Sequence, residues 1–389
     1  YIIMGGGLMQ LEAYGAQDVY LTGNPQITFF KVVYRRHTNF SMESIRQTAT
    51  GTGTRQTVTV ARNGDLVHKV CIESNCDTPF SYTRVGNSNT GFKISKTAHS
   101  GEKPKGPISL INQVEVEIGG QLIDRINGKF IQYYGELCDD NPTGSELSMF
   151  QNSILRGRGV NSYNMTSWIP LPFWFCRNPG LSIPLIALQY HEVKFNIDYV
   201  STSGIDNQLW VDYIYLDTDE RRRFAQVSHE YLIEQVQHQD YSVVTGTTIG
   251  SINLVFNHPV KELIWVCTAA AKGSDNEKQP IKISATSQLK LNGQDRFEQM
   301  NQSYFTRVQP WKYHTGSSLN RLNSTATSDR YQVMKTGPND SKILTDYIHV
   351  YSFALKPEEH QPSGTCNFSR IDSAVLKIQG KPDLTGDLD

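Results

Sequence analysis

Strict alternation of apolar and polar residues is the feature of this sequence that most limits its fold. Residues 114–118 read Val-Glu-Val-Glu-Ile, and residues 193–197 and 252–256 carry apolar side chains at every second position in the same way. Because successive side chains of a strand point to opposite faces, this period puts one face in a core and the other in solvent. The sequence therefore predicts one-sided antiparallel strands. Further strands, apolar on both faces and suited to enclosure between layers, are predicted at residues 66–72, 209–216, 263–267 and 347–355.

Helical periodicity is confined to two short stretches in the connections between strands. Apolar residues recur there at spacings of three and four, which predicts two short helices. Stretches rich in Gly, Ser, Asn and Thr predict exposed loops at residues 85–106, 201–208 and 319–340. The apolar positions of the predicted helices are Phe130, Tyr133, Tyr134 and Leu137 in the first, and Leu147, Phe150 and Ile154 in the second.

A weak internal repeat indicates two copies of one β-domain. The string Val-Glu-Ile-Gly-Gly-Gln at residues 116–121 recurs as Leu-Lys-Leu-Asn-Gly-Gln at residues 289–294, in both cases a strand that runs into a Gly-Gln turn. Residues 66–71 are echoed in a similar way by residues 263–267. A length of 389 residues also favours two domains over one. We expect the two copies to be joined near residues 216–224.

The charge balance argues against a protein that coats nucleic acid. The chain has 37 Lys and Arg against 38 Asp and Glu, so it has no overall positive field. Two local basic runs, residues 35–37 and 221–223, are interpreted as salt-bridged surface or interface arginines, with phosphate sites as the alternative. We therefore expect no bulk nucleic-acid binding. No apolar run approaches the length needed to span a bilayer.

The motif search predicts neither catalysis, nor a cofactor, nor a metal site. The six cysteines include no CxxC pair, which predicts free and mostly buried thiols in a reducing compartment. The sequence has no GxSxG elbow, P-loop or HExxH motif. His68, His191 and His349 lie within strand patterns and are interpreted as structural residues. Two sequons in the longest polar loop make Asn323 and Asn339 candidates for glycosylation.

Residues 11–40 carry a specific resemblance. They read LEAYGAQDVYLTGNPQITFFKVVYRRHTNF, which closely resembles the opening of major capsid proteins from nucleocytoplasmic large DNA viruses, the group of phycodnaviruses, iridoviruses and mimivirus-like viruses. The likeness continues through residues 114–121, 210–220 and 351–372 and covers nearly the whole chain.

The resemblance implies an all-β fold, a double jelly roll of two eight-stranded antiparallel sandwiches side by side, with a few short helices in the connections. The domains would be an N-terminal base segment at residues 1–23, a first jelly roll at 24–216 and a second at 217–389. Family members usually continue beyond residues 369–378 with a final strand, whereas a polar run follows here. The second jelly roll is therefore expected to lack a strand, to be completed by another chain, or to continue past the given sequence.

The resemblance also implies a function and partners. The chain would be a major capsid protein without catalytic activity, made in the host cytoplasm and found in the virion. It would form homotrimers, pseudo-hexagonal capsomers that contact neighbouring capsomers in an icosahedral shell. Minor capsid proteins and an underlying membrane are expected at the base, with Gln17, Asp18 and Asn24 as candidate contacts. The alternative is a local structural role, in which these three residues cap a short helix and form a turn.

The alternative function is carbohydrate binding or glycoprotein processing on the same scaffold, because a fold does not fix a function. Trp168, Trp174 and Trp311 would then be solvent-facing aromatic residues, whereas the capsid interpretation uses them in core or interface packing.

Overall fold

Antiparallel strands are the main regular element of the described residues, as the alternating segments predict. The computed structural model describes residues 16, 37–51, 53–76, 82–84, 94–96, 111–138, 154–156, 164–199, 205–241, 250–270, 278–280, 283–316 and 348–382. The chain divides into two compact units, Tyr1–Phe40 and Ser41–Asp389. Within the second unit, residues 41–216 are called the N-terminal half and residues 250–382 the C-terminal half.

The N-terminal half contains two antiparallel sheets, and each pairs strands that are far apart in the sequence. The described strands are β1 (Phe40–Gln47), β2 (Ala49–Thr50), β3 (Arg55–Thr59), β4 (Leu66–Cys76), β5 (Tyr82–Arg84), β6 (Ile94–Lys96), β7 (Ile111–Ile118), β8 (Gln121–Asn127), β9 (Ile154–Arg156), β10 (Asn164–Pro170), β11 (Ile183–Pro184), β12 (Val193–Tyr199) and β13 (Ile205–Leu216). One sheet has the strand order β1-β13-β4-β10-β9 with β11 also on β4, the other the order β2-β3-β12-β7-β8, and β5 pairs with β6. The helical elements described in or directly after this half are α1 (Gly128–Cys138), α2 (Trp174–Arg177), the 3-10 turn Pro179–Leu181 and α3 (Thr218–Gln226).

A single apolar core lies between these two sheets. Val116 on β7 and Phe195 on β12 are completely buried, and so are Ile72 on β4 and Val211 on β13 from the facing sheet. Aromatic rings fill the middle of this core, where the ring of Phe195 lies 6.1 Å from that of Phe173. The inward side chains of β7 and β12 are those that the alternating pattern assigns to the buried face.

The C-terminal half has one larger sheet and several strand pairs. Its described elements are β14 (Ser251–Asn253), β15 (Pro259–Val260), β16 (Glu262–Val266), β17 (Thr268–Ala270), β18 (Lys278–Pro280), β19 (Ile283–Leu291), β20 (Gln294–Asp295), β21 (Met300–Asn301), a π-helical turn (Tyr304–Val308), α4 (Gln309–Tyr313), β22 (Ile348–Ser352), β23 (Cys366–Asn367), a 3-10 turn (Phe368–Arg370) and β24 (Ala374–Pro382). The sheet order is β14-β24-β19-β20 with β21 also on β19, and the pairs are β15–β23, β16–β22 and β17–β18.

The internal repeat corresponds to the same hairpin in both halves. Strands β7 and β8 are joined by Gly119 and Gly120, with φ of 62° and 81°, and β19 and β20 by Asn292 and Gly293, with φ of 50° and 80°. Positive φ at both central residues defines the two-residue turn that matches strand twist, and Gly and Asn adopt it at little cost. In each half a helical segment follows the hairpin, α1 in the first and the π-helical turn with α4 in the second. The echo in the sequence therefore reflects a repeated structural unit.

The outcome for the predicted helices is mixed. The first apolar stripe forms α1, with Leu137 buried and Phe130 partly buried. Residues 147–153 of the second stripe lie outside the described residues, but Ile154 is in strand β9, so a helix through this residue is wrong. Its β-branched side chain suits a strand, and Ile154 pairs with Thr166 of β10. Among the helices that the structure describes, none combines the length and apolar character needed to cross a membrane.

Candidate functional site

The residues proposed from the sequence as contact or modification sites are not part of the described structure. Gln17, Asp18, Asn24, Asn323 and Asn339 all lie outside the described residues. Their roles therefore stay predictions.

Two of the predicted structural histidines are held by backbone carbonyls. His68 is 3% exposed and its Nδ1 lies 3.2 Å from the carbonyl oxygen of Phe175. Burial lowers the pKa of His68, which favours the neutral ring. His349 is fully buried, its Nδ1 lies 3.2 Å from the carbonyl oxygen of Trp265, and its ring stacks on that indole. Both histidines are structural residues, as the sequence analysis predicted.

The tryptophans do not form an exposed aromatic row. Trp174 is 3% exposed and belongs to the N-terminal core. Trp168 is partly buried and its ring lies 5.5 Å from that of Trp210. Trp311, on α4, is 72% exposed.

The most elaborate set of polar contacts joins the two halves of the chain, and this contact region is called the seam. Its apolar part is made by α1, whose buried Leu137 packs with Ile348 and Val350 of the C-terminal half. The backbone N–H of Gly316 donates to the carbonyl of Leu137 at 2.7 Å. This bond satisfies one of the carbonyls that the end of a helix leaves without an intrahelical partner. The N-terminal half thus inserts the end of α1 into the C-terminal half.

An extended segment at residues 227–241, called the strap, follows α3 and attaches to both halves. The side chain of Gln237 makes two hydrogen bonds to the backbone of Asn257, at 2.6 and 2.9 Å. That of Gln239 donates to the carbonyl of Asn253 at 2.8 Å and accepts from the N–H of Val255 at 3.0 Å. These amide side chains satisfy backbone groups next to β14, much as a neighbouring strand would.

The strap is anchored to the N-terminal half by Asp124 on β8. One oxygen of its carboxyl group accepts from the N–H of Val236 at 3.1 Å and from that of Arg125 at 2.8 Å. The residue is 5% exposed, and burial raises the pKa of Asp124 to about 6. The anchor is therefore a carboxyl group whose charged form is disfavoured by its surroundings.

Glu234 on the strap is shared by one cation from each half. Its Oε2 pairs with the guanidinium of Arg177, and its Oε1 pairs with the ammonium of Lys261. The Arg177 guanidinium also lies 4.7 Å from the centroid of the Tyr134 ring on α1. All three charged side chains are mostly buried, with 24%, 14% and 15% exposure for Arg177, Glu234 and Lys261. The carboxylate therefore offsets two positive charges that face each other across the seam.

A second polar cluster lies at the end of α1. His314, whose side chain is 2% exposed, has its Nδ1 3.0 Å from Glu358 Oε1 and its Nε2 3.1 Å from Glu262 Oε2. The Sγ of Cys138 lies 3.7 Å from the same Nδ1. Burial alone would lower the pKa of His314, but the contacts with Glu262 and Glu358 outweigh it and raise this pKa to about 9. A cationic imidazole between two carboxylates is the state that this arrangement favours at neutral pH without further ligands.

The positive charge of the basic run at residues 221–223 is partly neutralised, and its main acidic partner is not adjacent to the run in the sequence. Arg221 forms a two-point ion pair with Asp65, with both distances at 3.0 Å. The Asp65 carboxylate also accepts from the N–H of Leu216, at the end of β13, at 2.9 Å, and its pair with Arg221 ties α3 to the N-terminal half. Arg222 lies 4.0 Å from Asp219 on the same helix. The salt-bridge interpretation holds for these two arginines, and the stronger partner is distant in sequence.

No pattern in the sequence predicts the seam as a site. Glu234, Glu262, His314 and Glu358 show no motif spacing, and their partners lie up to 176 positions away, as for Cys138 and His314. The only available signal was the alternation of glutamines at positions 235, 237 and 239 in a polar segment.

Comparisons with known proteins agree over nearly the whole chain. A family described as the major capsid protein N-terminus matches residues 28–217, and one described as the large eukaryotic DNA virus major capsid protein matches residues 220–388. The major capsid protein of Pyramimonas orientalis virus is 48% identical, covering 97% of this chain and 92% of its own length. That of Paramecium bursaria Chlorella virus 1 is 40% identical, covering 97% and 88%.

Solved structures give the same result. A chain of the PBCV-1 virus capsid is similar with a TM-score of 0.68 and 32% identity, covering 91% of this chain and 87% of that one. The Faustovirus major capsid protein has a TM-score of 0.52 at 11% identity, covering 96% and 92%, which shows a shared fold.

Replacement of Asp124 by Asn should stabilise the protein at neutral pH. An acid whose pKa is higher in the folded than in the unfolded chain loses stability as pH rises from about 4 to about 6. Asn keeps an oxygen that can accept from Val236 and Arg125 but carries no charge, so we expect a gain of about 2 kcal/mol at pH 7 and little change at pH 4. Denaturant unfolding at both pH values tests this. Asp240→Asn, at an exposed position on the strap, is the control, and equal stabilities of wild type and Asp124→Asn at pH 7 would contradict the prediction.

Replacement of Glu234 by Gln should destabilise the seam. The change leaves the mostly buried cations Arg177 and Lys261 without their carboxylate, for which we expect a loss of about 3 kcal/mol. The matched control is Glu359→Gln, because the Glu359 side chain is 54% exposed and its carboxylate forms an ion pair with exposed Lys356, so its loss should cost less than about 1 kcal/mol. The measurement is the free energy of unfolding of both variants at pH 7. If both variants lose a similar amount of stability, the buried pairing of Glu234 contributes no more than an exposed ion pair.

Proposed function

The chain belongs to the family of large eukaryotic DNA virus major capsid proteins, and on this premise we propose that three copies assemble into a pseudo-hexagonal capsomer that tiles an icosahedral shell. The protein is a structural component of a virus capsid with the double jelly-roll fold. Its place is therefore the virion, and its synthesis in the host cytoplasm is part of the proposal.

Two similar halves per chain support the trimer. Three chains around a three-fold axis present six similar β units, so a closed trimer has nearly hexagonal corners and can tile a plane. We propose the boundary between the two jelly rolls at residues 216 and 217, in front of α3, with an N-terminal base segment at residues 1–23. Among the described strands, each pairing joins strands of the same half.

The seam offers a template for the contact between chains. Within one chain, α1 follows the repeated hairpin of the first half and packs against β16 and β22 of the second. The helical segment that follows the same hairpin in the second half ends in α4, where Trp311 is 72% exposed. In a pseudo-six-fold trimer, α4 would contact the N-terminal half of the next chain. Helix α1 contacts the C-terminal half of its own chain in the corresponding way. A large exposed indole in that position suits an interface anchor.

A purely structural role, without catalysis or an organic cofactor, is the function we propose. The charged residues of the seam are paired with one another and oriented by backbone groups, which is typical of a structural network. The buried Trp174 and the partly buried Trp168 weigh against the alternative of a carbohydrate-binding surface. With 37 basic and 38 acidic residues, the protein has no overall positive charge that would attract the genome along its length.

Contacts outside the capsomer complete the proposal. Neighbouring capsomers are the lateral partners, and minor capsid proteins with an underlying membrane are the partners at the base. Gln17, Asp18 and Asn24 remain our candidates for the base contacts, and Asn323 and Asn339 for glycosylation.

The purified chain should be a trimer that depends on Trp311. Light scattering after size exclusion should give three times the 43.9 kDa chain mass. Trp311→Glu puts a charge into the proposed interface and should shift the protein towards monomers by at least about 10-fold in the dissociation constant. Lys312→Glu, at the adjacent exposed position, is the control and should leave the trimer intact. A monomeric wild-type protein would refute the trimer, whereas an intact Trp311→Glu trimer would refute only the proposed contact.

Deletion of residues 1–23 should separate folding from assembly. If this segment contacts base partners, the shortened chain should still form trimers with an unchanged melting temperature, but it should fail to form complete shells when produced with the other capsid proteins. Electron microscopy of particles measures this outcome. Normal particles from the deletion would contradict the proposed role of the segment, and Gln17→Ala with Asp18→Ala in the full chain would test the two side chains separately.

A further inference from the structure

We propose that the seam binds a zinc ion through Cys138, His314 and Glu358, and that this ion fastens the two halves of the chain together. Cys138 is the last residue of α1 in the N-terminal half, whereas His314 and Glu358 belong to the C-terminal half. The three donor atoms lie within 4.8 Å of one another. The inference concerns the single chain and does not depend on the proposed trimer.

The distances suit tetrahedral coordination. With Zn–S of about 2.3 Å and Zn–N of about 2.0 Å, a tetrahedral site separates sulfur and nitrogen by about 3.6 Å. Cys138 Sγ and His314 Nδ1 are 3.7 Å apart. The nitrogen and carboxylate oxygen of such a site lie about 3.3 Å apart, compared with 3.0 Å between His314 Nδ1 and Glu358 Oε1. For these two pairs, binding therefore requires shifts of only a few tenths of an ångström, and the sulfur and the carboxylate oxygen lie within 4.8 Å of each other.

The groups around the three donors are those that a zinc site uses to orient its ligands. A zinc-bound imidazole normally directs its other ring nitrogen at a carboxylate, and His314 Nε2 lies 3.1 Å from Glu262 Oε2. Both atoms are buried, and among the described residues neither has a hydrogen-bond partner. Thr315 donates to both oxygens of Glu358, at 3.0 Å from its N–H and 2.7 Å from its hydroxyl, which fixes the orientation of that carboxylate.

The ligand types select zinc among common divalent cations. Thiolate, imidazole and carboxylate together suit Zn²⁺, whereas Mg²⁺ and Ca²⁺ prefer oxygen ligands alone. Binding releases two protons to solvent, one from the Cys138 thiol and one from the His314 imidazolium. The two positive charges of the ion replace those two protons, so the net charge of the buried cluster does not change. A water molecule is the natural fourth ligand.

The position of the ion gives it a structural task. It would link residues 138 and 314, which are 176 positions apart, at the point where α1 enters the C-terminal half. Metal sites formed by folding stabilise the folded chain, since the unfolded chain does not hold the ligands together. The ion would thus fix the relative orientation of the two halves in addition to the Glu234 ion pairs.

The test measures metal binding by the full-length chain. After EDTA treatment and dialysis, the protein is titrated with ZnCl₂ and, separately, with CoCl₂, whose bond to a thiolate gives a charge-transfer absorption band. We expect one zinc ion per chain by elemental analysis, a cobalt–thiolate band that zinc removes, and a higher melting temperature with zinc but not with Mg²⁺. Cys138→Ser should abolish the band and weaken zinc binding by more than about 100-fold, and Glu262→Gln should weaken it about 10- to 100-fold.

Controls separate a site from chance binding. Cys366→Ser removes a free thiol outside the cluster and should leave the cobalt band and zinc stoichiometry unchanged. Circular dichroism of Cys138→Ser establishes that the variant is folded. The proposal is overturned if the wild-type chain shows no cobalt–thiolate band, or if the band persists in Cys138→Ser.

Discussion

The carboxylate of Glu234 holds the position on which the arrangement of the two halves depends. It is shared by Arg177 from one half and Lys261 from the other, and all three side chains are mostly buried. Two cations facing each other in a poorly solvated region would otherwise repel, so at this point the halves approach each other only with the Glu234 carboxylate between the cations. Gln237, Gln239 and Val236 attach the strap at further points. The strap therefore acts as a structural element of the seam even though it has no regular secondary structure.

The seam combines a small apolar contact with a larger polar network, and this balance has a physical consequence. Apolar packing around Leu137 is non-directional and permits sliding between the halves. Hydrogen bonds and ion pairs require defined distances and angles, so they allow only one relative position of the two halves. The capsomer that we propose needs that property, because the shape of a trimer of two-unit chains is set by the angle between the two units of each chain. We regard the polar network as the element that sets this angle.

The repeated hairpin has the same local structure in both halves, but the helical segment that follows it has different surroundings in each. The turns at Gly119–Gly120 and Asn292–Gly293 have the same backbone conformation, and each leads to a helical segment. The first helix, α1, is covered by the other half of its own chain, and Trp311 on the second, α4, is exposed. Local sequence fixes the hairpin in both cases, whereas the partner of the following helix differs. This asymmetry within a repeated unit is what supports a contact between chains.

Short-range patterns in the sequence determined the strands, the repeated turn and helix α1, because period-two alternation, Gly and Asn at positive φ and apolar spacing act over a few residues. The likeness of residues 11–40 and of later segments determined the family. The helix assigned through Ile154 failed because pairing with β10 overrides a spacing of three and four. Only the tertiary structure brought Glu234 to Arg177 and Lys261, or His314 to Cys138, Glu262 and Glu358. These residues are tens to more than a hundred positions apart, and their contacts arise from how two separately patterned halves meet, which no local pattern encodes.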